Sequence, residues 1–427
     1  MEHVVIIGNG ISGVTAALNI RKLSNKKITL ISSETAYFFS RTALMYVFMG
    51  HLKMEHTKPY EDHFWKKNDI NLVFKHVIDI DTSNKQVIFE TSNALSYDIL
   101  ILATGSKSNR LNCKGQNFHG VVSLYSKSDL ENIEKLALTC KKAVVVGGGL
   151  IGLELVEMLL SRNIEVTFMI RETSFWNSVL PVEDSLLIQR HILEHNVDLK
   201  IKTSLKEIIS NESGVVKAVI TDNGEIIDCD MVALTVGVSP NIELLENTNI
   251  ETNLGIKVNR YLETNIKNIY AIGDCAEQIQ PNKNRKKIES LWYTGKMMGE
   301  TVAQTICGKP MEYNPGNWFN SAKFFDIEYQ TYGWVFSQPC ENELHFYWEH
   351  TSRKMAVRMA YEIETRKFVG INTYGIRMRH EFFDYVLNQN KTIDFVMENL
   401  GKANFDPEFY NTYEKEIKSA FNEKQIL

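Results

Sequence analysis

Three glycines near the start of the chain have a spacing that can do chemistry. Gly8, Gly10 and Gly13 follow the apolar run Val4-Val5-Ile6-Ile7. That run predicts a buried parallel strand, and Ile11 to Leu23 predict the helix after it. Gly8 permits the tight turn, Gly10 leaves room for a pyrophosphate to touch the backbone, and Gly13 lets helix and strand pack closely. The diphosphate charge would rest on unpaired N–H groups at the positive end of that helix. A second strand, Ile28 to Ile31, leads to Glu34, about 20 residues on, where an acid bonds a ribose hydroxyl. The same order recurs from Ala143: a strand, then Gly147, Gly149 and Gly152, a helix, and a further strand at Val166 to Met169. Two such modules imply two nucleotide-bearing ligands, or one ligand and a decayed copy. Either glycine spacing alone is a weak signal; strand, helix, second strand and acid together make it specific.

The elements that must hold these turns follow from the remaining pattern. Lys75 to Glu90 predict strand, turn and strand, and Ile99 to Leu102 a buried strand ending in Ala103-Thr104-Gly105-Ser106. Residues 107–120 suit a crossover. Leu199 to Val236 are strand-like, with Asp222-Asn223-Gly224 as a hairpin turn, and Val236 to Asn241 suit the return crossover. Ile269 to Glu277 predict a strand, Gly273 and Asp274, then a helix start. Ser290 to Cys307 predict a helix. After Pro310 the chain becomes aromatic-rich, with strands expected at Phe324 to Trp334, His345 to Trp348 and Met355 to Met359. Helices are expected around Glu381 to Leu387 and Ile393 to Leu400, and Tyr410 to Leu427 reads as a surface helix.

With 427 residues, two or three domains are expected. A net charge of -5 argues against nucleic acid as the main partner. No apolar run approaches the roughly 18 residues of a membrane span, and the apolar N-terminus is too short and unflanked for a signal peptide. Six cysteines are scattered without Cys-x-x-Cys, so neither a zinc knot nor a disulfide scaffold is expected, and a reducing cytoplasm is. His51, His56 and His63 have no metal-ligand spacing, and no metal is expected. Whether the chain is a monomer or a homodimer is left open.

Together, GNGISG near the start, ATGS at 103–106, GGGLIGLE at 147–154, VGVSPN at 236–241 and AIGDCAE at 271–277 resemble the two-dinucleotide flavoprotein reductases of the pyridine nucleotide–disulfide oxidoreductase superfamily. Trp318-Phe319-Asn320-Ser321 and Lys367 to Asn372 resemble the C-terminal unit of its ferredoxin and rubredoxin reductases. The resemblance implies an α/β fold with two Rossmann-like, three-layer dinucleotide-binding domains, the NAD(P) domain inserted in the FAD domain, plus a C-terminal α+β domain. The divisions would be 1–112 and 239–310 for FAD, 113–238 for NAD(P), and 311–427. It implies that Gly8, Gly10, Ile11, Ser12, Gly13, Ser33, Glu34, Arg41, Thr42, Val77, Ala103, Thr104, Gly105, Gly273, Asp274 and Trp292 hold FAD. Asp274 would bond the ribityl chain, and the helix after it would point its N-terminus at the flavin's pyrimidine end. Gly147, Gly149, Leu150, Ile151, Gly152, Arg171, Glu172 and Gly237 would hold NADPH or NADH. Glu154 beside the nicotinamide, with Tyr46 and Thr42 beside the flavin, would complete the reacting site.

Three positions depart from the pattern. The Phe39 to Gly50 segment aligns with one that carries a redox cysteine, but Thr42 stands at that position, and a hydroxyl forms no stable thiolate. Disulfide reduction by that route is excluded, and Cys275 reads as core packing. Tyr46 replaces a lysine near flavin N5, and Asn320 replaces a flavin-stacking aromatic. The second module's second strand ends Met169-Ile170-Arg171-Glu172, with Ile170 in the acid's position and Arg171 in the arginine's. That favours NADPH, so Arg171→Glu would raise its KM selectively. The implied reaction is hydride transfer from NAD(P)H to FAD and onward passage of electrons to a small acidic carrier such as a ferredoxin or rubredoxin. Lys283, Arg285, Lys286 and Lys287, and Arg377, Arg379 and His380, are candidate docking cations. A diaphorase acting on quinone or oxygen, and a slow flavin redox sensor or assembly protein, are the alternatives.

Overall fold

The computed structural model describes residues 1–91 and 93–425 and falls into two compact units. One comprises Met1–Arg110, Val122–Leu138 and Gly237–Pro315; the other comprises Leu111–Val121, Thr139–Val236 and the chain from Gly316 onward.

In the first unit the opening apolar run forms the strand His3–Ile7, buried at all five residues. It sits at the centre of a parallel sheet ordered Ile269–Ala271, Ile99–Leu102, His3–Ile7, Lys27–Ser32, Ile70–Phe74. Burial on both faces explains why its sequence is continuously apolar rather than alternating. The helix Ile11–Leu23 follows, and Trp292–Ile306 packs against it through two glycines. A Cβ on Gly295 would lie 2.6 Å from Ser12 Oγ, and one on Gly299 2.6 Å from the Ser12 carbonyl oxygen. Larger side chains there would push the helices apart. The expected helix start after Asp274 is not formed. Gly273–Cys275 make one 3-10 turn, and Ala276–Gln278 return to a strand paired with Ile256–Val258. The helix waits until Trp292, because Ala276, Glu277 and Gln278 are all buried in that pairing.

In the second unit Asp198–Lys200, Glu165–Met169, Lys142–Val146 and Met231–Leu234 lie side by side, all parallel. The Asp222-Asn223-Gly224 turn joins Val216–Thr221 to Ile226–Asp228, with Gly224 at φ 87°. The C-terminal residues form an antiparallel sheet ordered Phe319–Phe324, Ile327–Gly333, Phe368–Tyr374, Ala356–Glu362, Glu343–Glu349. The strand expected over Phe324 to Trp334 forms as Ile327–Gly333; it starts later because the chain reverses at Phe325-Asp326 and Phe324 ends the preceding strand. The helices His380–Asn388 and Ile393–Asn399 form as expected. The tail helix, Glu414–Gln425, is more than a surface element: Ile417 and Phe421 are buried in the sheet's core beside Phe346. The fold is therefore mixed α/β, with two Rossmann-like parallel sheets and a C-terminal antiparallel sheet.

Candidate functional site

Both glycine turns have the same backbone geometry. Gly8 has φ 114°, and a Cβ on it would stand 2.0 Å from the Ala103 carbonyl oxygen; Gly147 has φ 121°, with Thr235 O at 2.4 Å. A Cβ on Gly13 would stand 2.0 Å from Gly8 O, and one on Gly152 would stand 2.2 Å from Gly147 O. The middle glycines differ from both: a Cβ on Gly10 or Gly149 meets nothing within 4 Å. Each caps its helix with extended backbone and no side-chain hydrogen bond. Crowded outer glycines and an open middle one form a cradle into which a diphosphate fits against bare helix N–H groups. The donor set and the space match a dinucleotide in each module.

A chain of hydrogen bonds crosses the first module's carboxyl edge. Glu34 takes both Arg41 Nη1, at 3.0 Å, and Arg41 Nη2, at 2.5 Å, and also the Lys127 amide at 2.9 Å. Burial works against the Glu34 carboxylate, but the Arg41 guanidinium holds its pKa below the ordinary carboxylate value. Arg41 Nη1 also donates to the Tyr125 carbonyl oxygen at 2.7 Å, and its guanidinium lies over the Tyr125 and Phe39 rings. The Tyr125 hydroxyl accepts from the Ser106 amide, and Ser106 Oγ donates to Asp274 Oδ2 at 3.1 Å. Burial pushes the Asp274 carboxyl up, opposed by Ser106 and Arg41. Glu34, Arg41, Ser106 and Asp274 are thus brought together. Tyr125 and Lys127 were missed by sequence reading, because nothing in their local pattern marks them. Thr104 Oγ1 donates to Asn241 O at 2.6 Å, and Gly105, at φ 68°, leaves room for the Tyr125 hydroxyl. Val77 is buried in a small antiparallel sheet, Ser33 is exposed, and Trp292 begins the second helix half-exposed. Gly237, at φ 93°, accepts from the Asn109 amide at the return crossover.

Thr42 is exposed, with its hydroxyl 3.1 Å from Ser40 Oγ, and Tyr46 lies one helical turn on, stacked near His51. Cys275 is fully buried, its Sγ directed at the Leu102 and Ile272 carbonyl oxygens, and burial pushes its thiol up. It is a core residue. The proposed docking cations thin out: Arg285 is committed to a buried pair with Glu289, and Arg377 to Glu328. Lys283, Lys286 and Lys287 stay exposed.

In the second module Leu150 and Ile151 open the helix Leu150–Ser161. Glu172 Oε2 lies 3.8 Å from the place of a Gly148 Cβ, whereas the Arg171 side chain is 80% exposed and donates from Nε to Glu172. The acid stands two residues past the position expected for it, and with Ile170, whose Cγ2 lies 2.7 Å from the same place, it faces the glycine turn while Arg171 does not. Glu154 carries a displaced carboxyl. Burial, reinforced by the Glu157 charge, pushes its carboxyl up to about 7. A raised carboxyl means that the folded chain holds a proton that the unfolded chain has lost between pH 4.5 and about 7. Stability therefore falls as pH rises through that window, by at most about 3 kcal/mol. Glu154→Gln is expected to raise the Tm at pH 8 and leave it unchanged at pH 4.5. Equal melting shifts at the two pH values would remove the burial explanation.

A sequence profile described as pyridine nucleotide-disulphide oxidoreductase matches residues 2–299. Over 343 residues the chain is 31% identical to an NADH oxidase of Methanocaldococcus jannaschii, covering 76% of this chain and 75% of that one. It is 29% identical to a rubredoxin-NAD(+) reductase of Pseudomonas putida, covering 71% and 80%. It spans only 40% of an assimilatory nitrate reductase electron transfer subunit of Bacillus subtilis that it also matches. Among solved structures, an NAD-dependent persulfide reductase from A. fulgidus superposes with a TM-score of 0.86 at 24% identity, over 99% of this chain and 83% of that one. Among the described residues no helix is long and apolar enough to cross a membrane.

Proposed function

We propose that this chain, which belongs to the pyridine nucleotide-disulphide oxidoreductase family, takes electrons from NADH and delivers them through FAD to a small redox carrier protein of the ferredoxin or rubredoxin kind. The family's members are NAD(P)H-dependent flavin oxidoreductases. When bound, FAD supplies a ring that accepts hydride from the reduced nicotinamide and releases electrons onward. The chain's own residues bind and orient. Gly10 and the helix behind it hold the FAD diphosphate, and Asp274, fixed by Ser106, bonds the flavin's polyol. Glu34 retains lone pairs for the adenosine ribose beyond those that Arg41 and Lys127 occupy. Gly149 and the helix after it hold the NADH diphosphate, with Glu154 on that helix beside the nicotinamide.

One observation carries the reading: two intact dinucleotide cradles accompany a hydroxyl, not a thiol, at position 42. Without a thiolate relay, electrons must leave the flavin directly. Exposed Lys283, Lys286 and Lys287 supply positive charge for an acidic carrier. Six unpaired thiols suit a reducing cytoplasm. Direct delivery to oxygen or quinone is the second reading, favoured by the 31% identity to an NADH oxidase.

The test is anaerobic reduction with NADH followed by an acceptor screen. Turnover with ferredoxin or rubredoxin at least tenfold above that with oxygen or quinone supports the carrier. The reverse order establishes the second reading. Reduction without turnover on any acceptor overturns both. Alkylation of the cysteines is expected to leave carrier turnover intact.

The donor preference rests on Glu172. A carboxylate paired with a ribose hydroxyl is worth about 1.5–3 kcal/mol. Glu172→Ala is therefore expected to raise the KM for NADH about tenfold or more and to leave that for NADPH unchanged or lower. Arg171→Ala is expected to change neither by more than about threefold, a modest effect for a solvent-exposed cation. Steady-state kinetics with both donors decides; a selective NADPH loss in Arg171→Ala would restore the arginine as selector.

A further inference from the structure

We propose that His191, His195 and Asp326 form a site for a divalent transition ion, zinc above all, that clasps a helix of the second module to a turn of the C-terminal sheet. His191 lies in the last turn of Val182–Glu194, and His195 caps that helix. Four residues apart, they share one helix face. Asp326 belongs to the two-residue reversal between Phe319–Phe324 and Ile327–Gly333, 135 positions from His191. One ligand atom from each of the three lies within 4.8 Å of the other two. All belong to the same compact unit.

The surroundings prepare these atoms. His191 is 2% exposed, and its Nε2 is hydrogen-bonded to Asp326 Oδ1. Its Nδ1 faces Glu194 Oε2 at 3.4 Å, an acid in the position of an outer partner. His195 Nδ1 is 2.8 Å from the His191 carbonyl oxygen. A carbonyl only accepts, so Nδ1 carries the proton and Nε2 keeps a lone pair for a metal. The turn is strained to reach them: Phe325 sits at φ 55°, a left-handed conformation costly for a bulky side chain. Its ring stacks on His195 at 4.0 Å and 9°, and meets His191 edge-on at 5.7 Å. Asp326 is thereby held against the imidazoles while remaining 63% exposed, with room to draw in. Lys354 stands 3.6 Å from Oδ2, the carboxylate oxygen not bonded to His191.

Two imidazoles and one carboxylate suit zinc and its borderline neighbours rather than magnesium or calcium, which take oxygen. Tetrahedral ligands at about 2.1 Å lie roughly 3.4 Å apart, so the group must contract slightly on binding. Three protein ligands leave one position for water. Such an ion would close a long loop and stabilise the folded unit by mass action.

The test uses the purified full chain, stripped with a chelator and dialysed against zinc chloride or magnesium chloride, with bound metal counted and melting followed. One zinc per chain, no magnesium, and a Tm raised by zinc are expected. His195→Gln and Asp326→Asn, both at partly exposed positions, should each weaken zinc binding at least tenfold with unchanged circular dichroism. Cys340→Ser, removing the exposed thiol, should keep it. Absence of stoichiometric zinc, retention within twofold in both ligand variants, or loss in Cys340→Ser would overturn the site.

Discussion

Gly10→Val is expected to yield a chain that folds and carries no flavin. The backbone at Gly10 has φ -71°, open to any residue, and a Cβ there touches nothing within 4 Å. The fold therefore has no objection to a side chain. The proposed diphosphate does, because valine would fill the space over the helix N–H groups. Losing two charge-assisted hydrogen bonds at about 1.5–3 kcal/mol each weakens FAD by at least about a hundredfold. Gly8→Ala should fail differently. Its Cβ would overlap the Ala103 carbonyl at 2.0 Å in a conformation, φ 114°, that L-residues avoid. Insoluble or unfolded protein is expected. The second module repeats the contrast: Gly149→Val should keep its flavin and lose reduction by NADH, whereas Gly147→Ala should misfold. Circular dichroism, flavin released on denaturation, and anaerobic reduction rates distinguish the four. Native flavin content in folded Gly10→Val would refute the cradle.

The second large effect is expected far from either cradle. Asp184 is completely buried on the helix Val182–Glu194. It accepts from Arg358 Nε, from Asn372 Nδ2 at 3.1 Å and from the Tyr374 hydroxyl at 2.9 Å, all on the antiparallel sheet. Arg358 also reaches Glu183, which is largely exposed. Asp184→Ala would leave the buried Arg358 Nε and two polar groups unanswered, with only the largely exposed Glu183 still holding the guanidinium, costing about 3–5 kcal/mol. Against the stability of a typical domain, about 5–15 kcal/mol, that is a large share. Urea unfolding followed by the tryptophans near the sheet should show it. Replacing both charged partners, Asp184→Leu with Arg358→Met, should recover the part of the loss due to the stranded guanidinium, because an apolar pair has no desolvation cost, while Asn372 and Tyr374 still lack their acceptor. A cost below about 1 kcal/mol for Asp184→Ala would show that the network is not a clasp.

Much of this was legible along the chain. The central strand was readable because burial on both faces demands an unbroken apolar run, as at Val4 to Ile7 and Ile99 to Leu102. The cradles were readable because they need glycine at fixed offsets and nothing else supplies that backbone. The absence of a thiol route was a matter of one residue type, Thr42. Readings failed where a local pattern has two uses. Gly273-Asp274 looked like the start of a helix and is a single 3-10 turn, because buried pairing with Ile256–Val258 outweighs local preference. Arg285 and Arg377 looked like docking cations, yet each has an internal acid, Glu289 and Glu328. A charge in a sequence does not declare its partner.

The primary structure alone determined which backbone turns could exist and which chemistry was excluded, since both depend on residue type over a dozen positions or fewer. Only the tertiary structure decided who faces whom. Glu172 rather than Arg171 turns towards the second glycine loop, Tyr125 bridges Arg41 to Ser106, and Asp326 meets His191. Each of these outcomes depends on packing between segments that the chain's order leaves free to meet or miss, and that information resides in the folded core.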